Sequence, residues 1–112
     1  MSHYKSNLRD IEFNLFEVFG RGDVLGSGPF ADVDQDTARE ILREVERLCR
    51  EDVAASFEDG DRNPPVYDAE AKTVTMPTSL AKSYHAYMDA EWYRLQLPEE
   101  LGGQPAPASL IW

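Results

Sequence analysis

The sequence predicts a mostly α-helical chain: three helices with one small β-hairpin. Three observations carry that expectation. Apolar residues recur at three-four spacing over three separate stretches, which is the signature of a helix with one buried face. A short run rich in β-branched residues, Thr73-Val74-Thr75, follows Val66-Tyr67 after a few polar and small residues, as in a hairpin. Leu97-Pro98-Glu99-Glu100-Leu101-Gly102-Gly103 then marks where the helical pattern stops. Its proline cannot continue a helix, and its Gly-Gly pair permits a turn that residues with a Cβ would resist.

The first helix is expected over residues 7 to 19. Leu8, Ile11, Leu15, Val18 and Phe19 follow helical spacing, and Phe13 and Phe16 widen the apolar stripe. A helix apolar on so many sides needs more than one partner surface. Gly20 is placed to end it in the left-handed conformation. The loop 20 to 33 carries Gly20, Gly22, Gly26, Gly28 and Pro29, but no Lys-Ser or Lys-Thr follows the glycines and no strand precedes them, so it is no phosphate loop. Arg21-Gly22-Asp23 reads as a chance tripeptide.

The clearest helix is expected over residues 35 to 58. Ala38, Ile41, Leu42, Val45, Leu48, Cys49, Val53 and Phe57 make its apolar face. Asp34 is a good N-cap, with Thr37 and Glu40 as a competing capping box. Glu46 with Arg50 and Arg47 with Glu51 are spaced for ion pairs on the outer face. Cys49 reads as a small buried hydrophobe, since nothing nearby in sequence would activate a thiol.

Asp59-Gly60-Asp61-Arg62-Asn63-Pro64-Pro65 is expected to end that helix. Asp59, Asp61, Asn63 and Glu70 match calcium-loop offsets, yet Pro64 stands where a glycine is required, so the metal reading is set aside. Asp32, Asp34 and Asp36 fail likewise, because Arg43 occupies the closing position. The hairpin is expected over residues 66 to 76, turning at Asp68-Ala69-Glu70-Ala71 and leaning on the helices for stability.

Pro77 suits the first turn of a third helix running to about Ala90. Leu80, Ala81, Tyr84, Tyr87 and Met88 fall on one face, with Trp92 just beyond. His85 at the edge of that face and His3 near the chain start have no acid or second ligand at useful spacing, so both read as structural.

Composition bounds the function classes. The chain has 112 residues and a formal net charge of −10, from 21 acids against 11 Lys and Arg. That excludes a nucleic-acid surface or an anionic-membrane surface, which need clustered cations. No stretch approaches a membrane span. One cysteine allows no internal disulfide, and with no apolar leader the expectation is a cytoplasmic protein. No metal cluster, nucleophile elbow, Rossmann or Walker signature is present, and the residues alone point to no catalytic site. Leu110-Ile111-Trp112 is an odd apolar end, and the expectation is the front part of something longer.

The ordered series Pro77, Tyr84, Asp89-Ala90-Glu91-Trp92, Leu95 and Leu97-Pro98-Glu99-Glu100-Leu101-Gly102-Gly103 resembles the N-terminal helical domain of the acyl-CoA dehydrogenase family. The stretches Tyr4-Lys5-Ser6-Asn7-Leu8-Arg9-Asp10, Phe13-Asn14-Leu15-Phe16-Glu17 and Asp59 to Pro65 resemble segments of one branch of that family, the first two as its N-terminal extension. The resemblance covers essentially the whole chain. Two departures stand out: the family usually has Gly where Glu91 stands, so the helix exit must differ or be strained, and Leu101 replaces a frequent Tyr at a semi-buried site.

The resemblance implies an N-terminal extension over 1–34 and the start of a helical domain over 35–112. It implies a FAD-dependent parent that desaturates acyl-CoA thioesters between the α and β carbons, with flavin and catalytic glutamate in later chain. No catalytic, cofactor-binding or metal position is therefore carried onto this sequence. The segment would help wall the acyl pocket and make contacts with the rest of the enzyme and with other subunits of a homo-oligomer. The alternative is a free-standing acidic helical interaction module binding a partner through Tyr84, Tyr87, Met88 and Trp92. An acidic mimic of nucleic acid rests on charge alone, and acidic character is usually a solvated face.

Overall fold

A computed structural model describes residues 3–111. The architecture is mostly helical with a two-stranded antiparallel hairpin, as the sequence predicts. The described residues pack as two units, one gathering residues 3–5 with Arg47–Ala90, the other gathering Ser6–Glu46 with residues 91–111.

In the second of these, α1 (Leu8–Glu12) begins at Asn7, whose side chain accepts the Asp10 N–H at 3.1 Å. It passes directly into a π-helical stretch, Phe13–Val18. The Asn14 side-chain amide donates to the Asp10 carbonyl at 2.8 Å, and the Phe19 N–H reaches back five residues to the Asn14 carbonyl at 2.9 Å. A side chain competing for the helix's own carbonyls is a known cause of such loosened turns. Gly20 then ends the helix with φ +58°, as expected.

The core of this unit is small. Val33 and Ala38 are fully buried and meet Ala106 and Leu110, ringed by Leu15, Phe16, Leu25, Ile41, Leu42 and Leu95. Leu110 is only 8% exposed, which corrects the reading of the apolar chain end as free surface; Trp112 lies outside the described residues. α2 (Gln35–Leu48) starts at Asp34, whose Oδ1 accepts the Thr37 N–H at 2.8 Å, so Asp34 rather than Thr37 is the cap. Ala38, Ile41 and Leu42 of α2 supply one wall of the core.

α1 is tied to α2 by a charge. Glu12, 14% exposed, takes Arg39 Nη1 on Oε2 at 2.9 Å, while Arg43 Nη2 stands 4.0 Å from Oε1. The Arg39 guanidinium lies over the Phe16 ring, 4.3 Å from its centre. Arginine suits this place because its flat cation can pair with a carboxylate and stack on a ring at once.

In the other unit a second π-helical stretch, Cys49–Val53, joins α2 to α3 (Ala54–Arg62). α3 corrects the expected helix end: Asp59, Gly60, Asp61 and Arg62 are helical, and the stop comes at Asn63, the residue that Pro64 holds out of the helical region. α3 packs on α4 (Thr78–Asp89). Pro77 caps α4 from outside, with ψ 138°, instead of forming its first turn.

The buried positions here are Leu48, Ala54, Ser56 and Ser83. The Ser83 hydroxyl donates to the Asp52 carbonyl at 2.8 Å, with the Ser79 carbonyl 3.0 Å away. Thus α4 turns Ser83 inward, while Tyr84 is 58% exposed. Val53 and Phe57, expected inside, are 39% and 72% exposed.

The hairpin pairs β1 (Val66–Asp68) with β2 (Thr73–Thr75) in the register Val66 to Thr75, Tyr67 to Val74 and Asp68 to Thr73. Asp68 Oδ1 accepts the N–H groups of Glu70 and Ala71 at 2.9 Å each, and Lys72 takes φ +54° to close the turn. Both strands are exposed throughout, so the hairpin does not lean on the helices as expected.

α4 is followed by Glu91, which takes the left-handed conformation with φ +57°. Non-glycine residues pay about 1–2 kcal/mol for that conformation. The strain expected from an acid at this exit is therefore real, and the Glu91 carboxylate pairs with Arg94 Nη1 at 2.9 Å beside it. Glu91→Gly is expected to raise stability by about 1 kcal/mol, read as a higher midpoint in urea unfolding; an unchanged or lower midpoint would show that the ion pair outweighs the strain.

Candidate functional site

The Pro-Glu-Glu-Leu-Gly-Gly turn is held at its neck by Arg94. Arg94 Nε donates to the Gly102 carbonyl at 2.9 Å, and the Arg94 carbonyl accepts the Gln104 N–H at 2.8 Å. One residue on, the Leu95 carbonyl accepts the Ala106 N–H at 3.0 Å. Inside the turn the Pro98 carbonyl accepts from both Leu101 and Gly103 at 3.0 Å, and Gly102 takes φ +79°. Gly103 is needed for a different reason: a Cβ there would overlap the Leu97 carbonyl. The turn is closed by these hydrogen bonds and its tip is exposed. Leu101, expected semi-buried, is 68% exposed.

Beside the turn, Gly28, Pro29, Ala31, Pro98, Glu99, Glu100 and Pro105 line a shallow cleft of about 370 Å³. In the other unit a mostly apolar groove of about 390 Å³ runs among Tyr4, Cys49, Val53, Ala54, Phe57 and Leu80. The His3 ring lies 4.9 Å from the Phe57 ring at its edge. Cys49 is half-buried in that wall rather than enclosed in a core. His85 is exposed, with its ring 5.7 Å from the neighbouring Tyr84 ring and nearly perpendicular to it. Trp92 falls in the other unit from Tyr84, Tyr87 and Met88.

The acids with displaced titration are structural. Backbone and side-chain hydrogen bonds from Thr37, then the Asp36 N–H, hold Asp34 below the ordinary carboxylate value of 3.8. The Ser79 hydroxyl, then the Asn63 amide, do the same for Asp59. Asp59, weighed above as a calcium ligand, therefore belongs to a helix and ties α3 to α4. Among the described residues no group of three or more His, Cys, Asp and Glu is placed to hold a metal ion.

Because both folded values are depressed, each carboxylate contributes stability that is complete above pH 3.8, the unfolded value. That contribution is lost as pH falls through the lower folded values. Asp34→Asn and Asp59→Asn are expected to flatten the loss of stability below pH 4, measured as the change of thermal midpoint with pH. Parallel acid limbs in wild type and variants would contradict the assignment.

Neither cleft suits a dinucleotide. One is apolar, and the other presents Glu99 and Glu100, which would repel a pyrophosphate. The described residues thus offer an apolar groove, an acid-lined cleft and a turn held by Arg94.

No family model matches the chain. Among curated proteins it is 52% identical over all 112 residues to the broad-specificity linear acyl-CoA dehydrogenase FadE5 of Mycobacterium tuberculosis, of which it covers 18%. It is 28% identical over 104 residues to the 3-methylmercaptopropionyl-CoA dehydrogenase of Ruegeria pomeroyi, covering 17% of that protein. The chain spans less than a fifth of the length of these relatives. Among the described residues no helix is long and apolar enough to cross a membrane. Along its full length, then, this sequence is similar to a segment of acyl-CoA dehydrogenases.

Proposed function

We propose that this chain is a structural segment of a FAD-dependent acyl-CoA dehydrogenase, an enzyme that oxidises an acyl-CoA thioester between its α and β carbons. The observation that carries the reading is the 52% identity sustained over all 112 residues. Residues 1–34 serve as an N-terminal extension and 35–112 as the start of the helical domain. The flavin, when bound, supplies the hydride acceptor, and no flavin contact is assigned to residues of this segment.

The work of the segment is packing. The Arg94-bound turn sets the direction in which the chain leaves Gly103. The apolar groove along Val53, Phe57 and Leu80 offers a wall toward an acyl chain, and the exposed apolar face of α1 offers an assembly contact within the enzyme or a homo-oligomer.

The test is a chimera. The matching segment of the M. tuberculosis relative is replaced by these 112 residues, and bound flavin and acyl-CoA-dependent reduction of an artificial electron acceptor are measured. A folded chimera that keeps its flavin and its turnover is expected. A folded chimera that assembles and binds flavin but has no turnover with any acyl-CoA would overturn the reading.

A further inference from the structure

Among the described residues the hairpin is a sheet of two strands, so β1 and β2 each keep one edge without a strand partner. Both strands are exposed throughout, with Val66 at 65%, Tyr67 at 64% and Val74 at 56%. The two edges differ. β1 is guarded: Pro64 and Pro65 lead into it without N–H groups, and Asp68 ends it with a charge. β2 has no such guard. Thr73-Val74-Thr75 is uncharged and β-branched throughout, and no acid lies between Lys72 and Pro77. An exposed, uncharged edge of this kind is a template for another strand.

We propose that the free edge of β2 pairs antiparallel with the same edge of a second copy of this chain. The two-fold axis passes through Val74, and the product is a four-stranded sheet in the order β1, β2, β2, β1. The strand is complementary to itself in that register. Val74 meets Val74, each Thr73 meets a Thr75, and Lys72 falls opposite Met76, so no like charges face each other. Tyr67 already lies opposite Val74 within the hairpin, so the pairing lines up Tyr, Val, Val and Tyr in one apolar row across one face. A sheet of two strands is marginal in water, and added strands supply what this exposed hairpin lacks. The same operation on β1 would set Asp68 against Val66 and would find no N–H at Pro65. The contact belongs to the unit that does not contain α1, so it adds to the assembly contact given above without competing for that face.

The experiment uses this chain with Cys49→Ala, which removes its one cysteine, and adds Val74→Cys. Residues directly opposite on adjacent antiparallel strands have Cα atoms about 4.5–5.5 Å apart, within the reach of a disulfide. Mild oxidation is therefore expected to give a covalent dimer. Tyr67→Cys in the same background is the control: the two β1 strands would stand three strand spacings apart, about 14 Å, and should crosslink little. Sedimentation equilibrium of the unaltered chain is expected to show a dimer that dissociates on dilution. Val74→Lys, which sets like charges against each other on the axis, should weaken that dimer by about tenfold or more, a change of about 1.4 kcal/mol. Glu70→Lys, at the tip of the same hairpin, should leave it as it was. Val74 is more than half exposed, so circular dichroism and the thermal midpoint should stay unchanged.

Three results would each overturn the proposal: a monomer at every concentration, crosslinking as strong through Tyr67→Cys as through Val74→Cys, or a dimer indifferent to Val74→Lys. The proposal stands on the strand edge and not on the dehydrogenase reading, and the two fail separately. An active chimera beside a monomeric chain would sink this contact alone. A folded, flavin-bound but inactive chimera beside a dimer crosslinked through Val74→Cys would sink the dehydrogenase reading alone.

Discussion

Gly103→Ala should lower stability by about 3 kcal/mol or more, the range reserved for a clash that the backbone cannot relieve. A methyl group at that position would overlap the Leu97 carbonyl carbon and oxygen and sit 2.6 Å from Leu97 Cβ. Those atoms belong to the start of the same turn, which is pinned by Gly103 N–H to the Pro98 carbonyl at 3.0 Å. Neither side can retreat without breaking the neck that Arg94 closes. Gly102→Ala is the control. A Cβ there meets nothing within 4 Å, and only the left-handed φ of +79° is at stake. Its expected cost is about 1 kcal/mol. Urea unfolding of the two variants separates the effects, and equal losses would show that the turn opens when crowded.

The second large effect is expected at the ion pair between α1 and α2. Arg39→Met removes the partner of a carboxylate that is 14% exposed and whose Oε1 is buried without a hydrogen bond. Leaving that charge unpaired should cost about 3 kcal/mol, less any relief from Arg43 swinging closer. Glu12→Leu combined with Arg39→Met should recover most of the loss, since a buried pair often does no better than apolar residues of similar size. A double-mutant cycle measures this directly. If Arg39→Met alone were neutral, the pair would be a surface contact and α1 would be held by Leu15 and Phe16 only.

Much of this fold was legible because helical periodicity is a local signal. The three helical stretches, the Asp34 cap, the left-handed Gly20 and the hairpin strands all follow from residues within a few positions of each other. The errors came from rules of unequal strength. The run Asp59 to Pro65 is expected as a whole to end the helix, but the glycine within it costs only about 1 kcal/mol in a helix and a proline about 3 kcal/mol, so the helix runs on to Arg62 and stops before Pro64. Periodicity also names a face without saying what covers it. Val53, Phe57 and Tyr84 are exposed although they lie on apolar stripes whose other members are buried or half-buried, and Ser83 is buried with its hydroxyl donating to the Asp52 carbonyl.

The candidate site was legible in another way. The motif around Gly102 and Gly103 carried the resemblance, yet nothing in its residues told which glycine answers to φ and which to crowding. That distinction depends on how close Leu97 comes, which only the folded turn reveals. The strain at Glu91 was visible only through the resemblance. Nothing in the sequence singled out Arg94, whose side chain reaches across eight positions to Gly102.

The π-helical stretches have a consequence for how this chain can change in length. Each packs about one more residue into a turn than an α-helix would, and at Cys49–Val53 the chain is α-helical both before and after. Removing one residue within Cys49–Val53 should let α2 run into α3 as one regular rod, with both ends keeping the faces they now present. The same deletion inside α2 or α4 would rotate everything downstream by about 100° and bury the wrong side. Deletion of a single residue, ordinarily ruinous in a helix, therefore has a place in this chain, Cys49–Val53, where it can be absorbed.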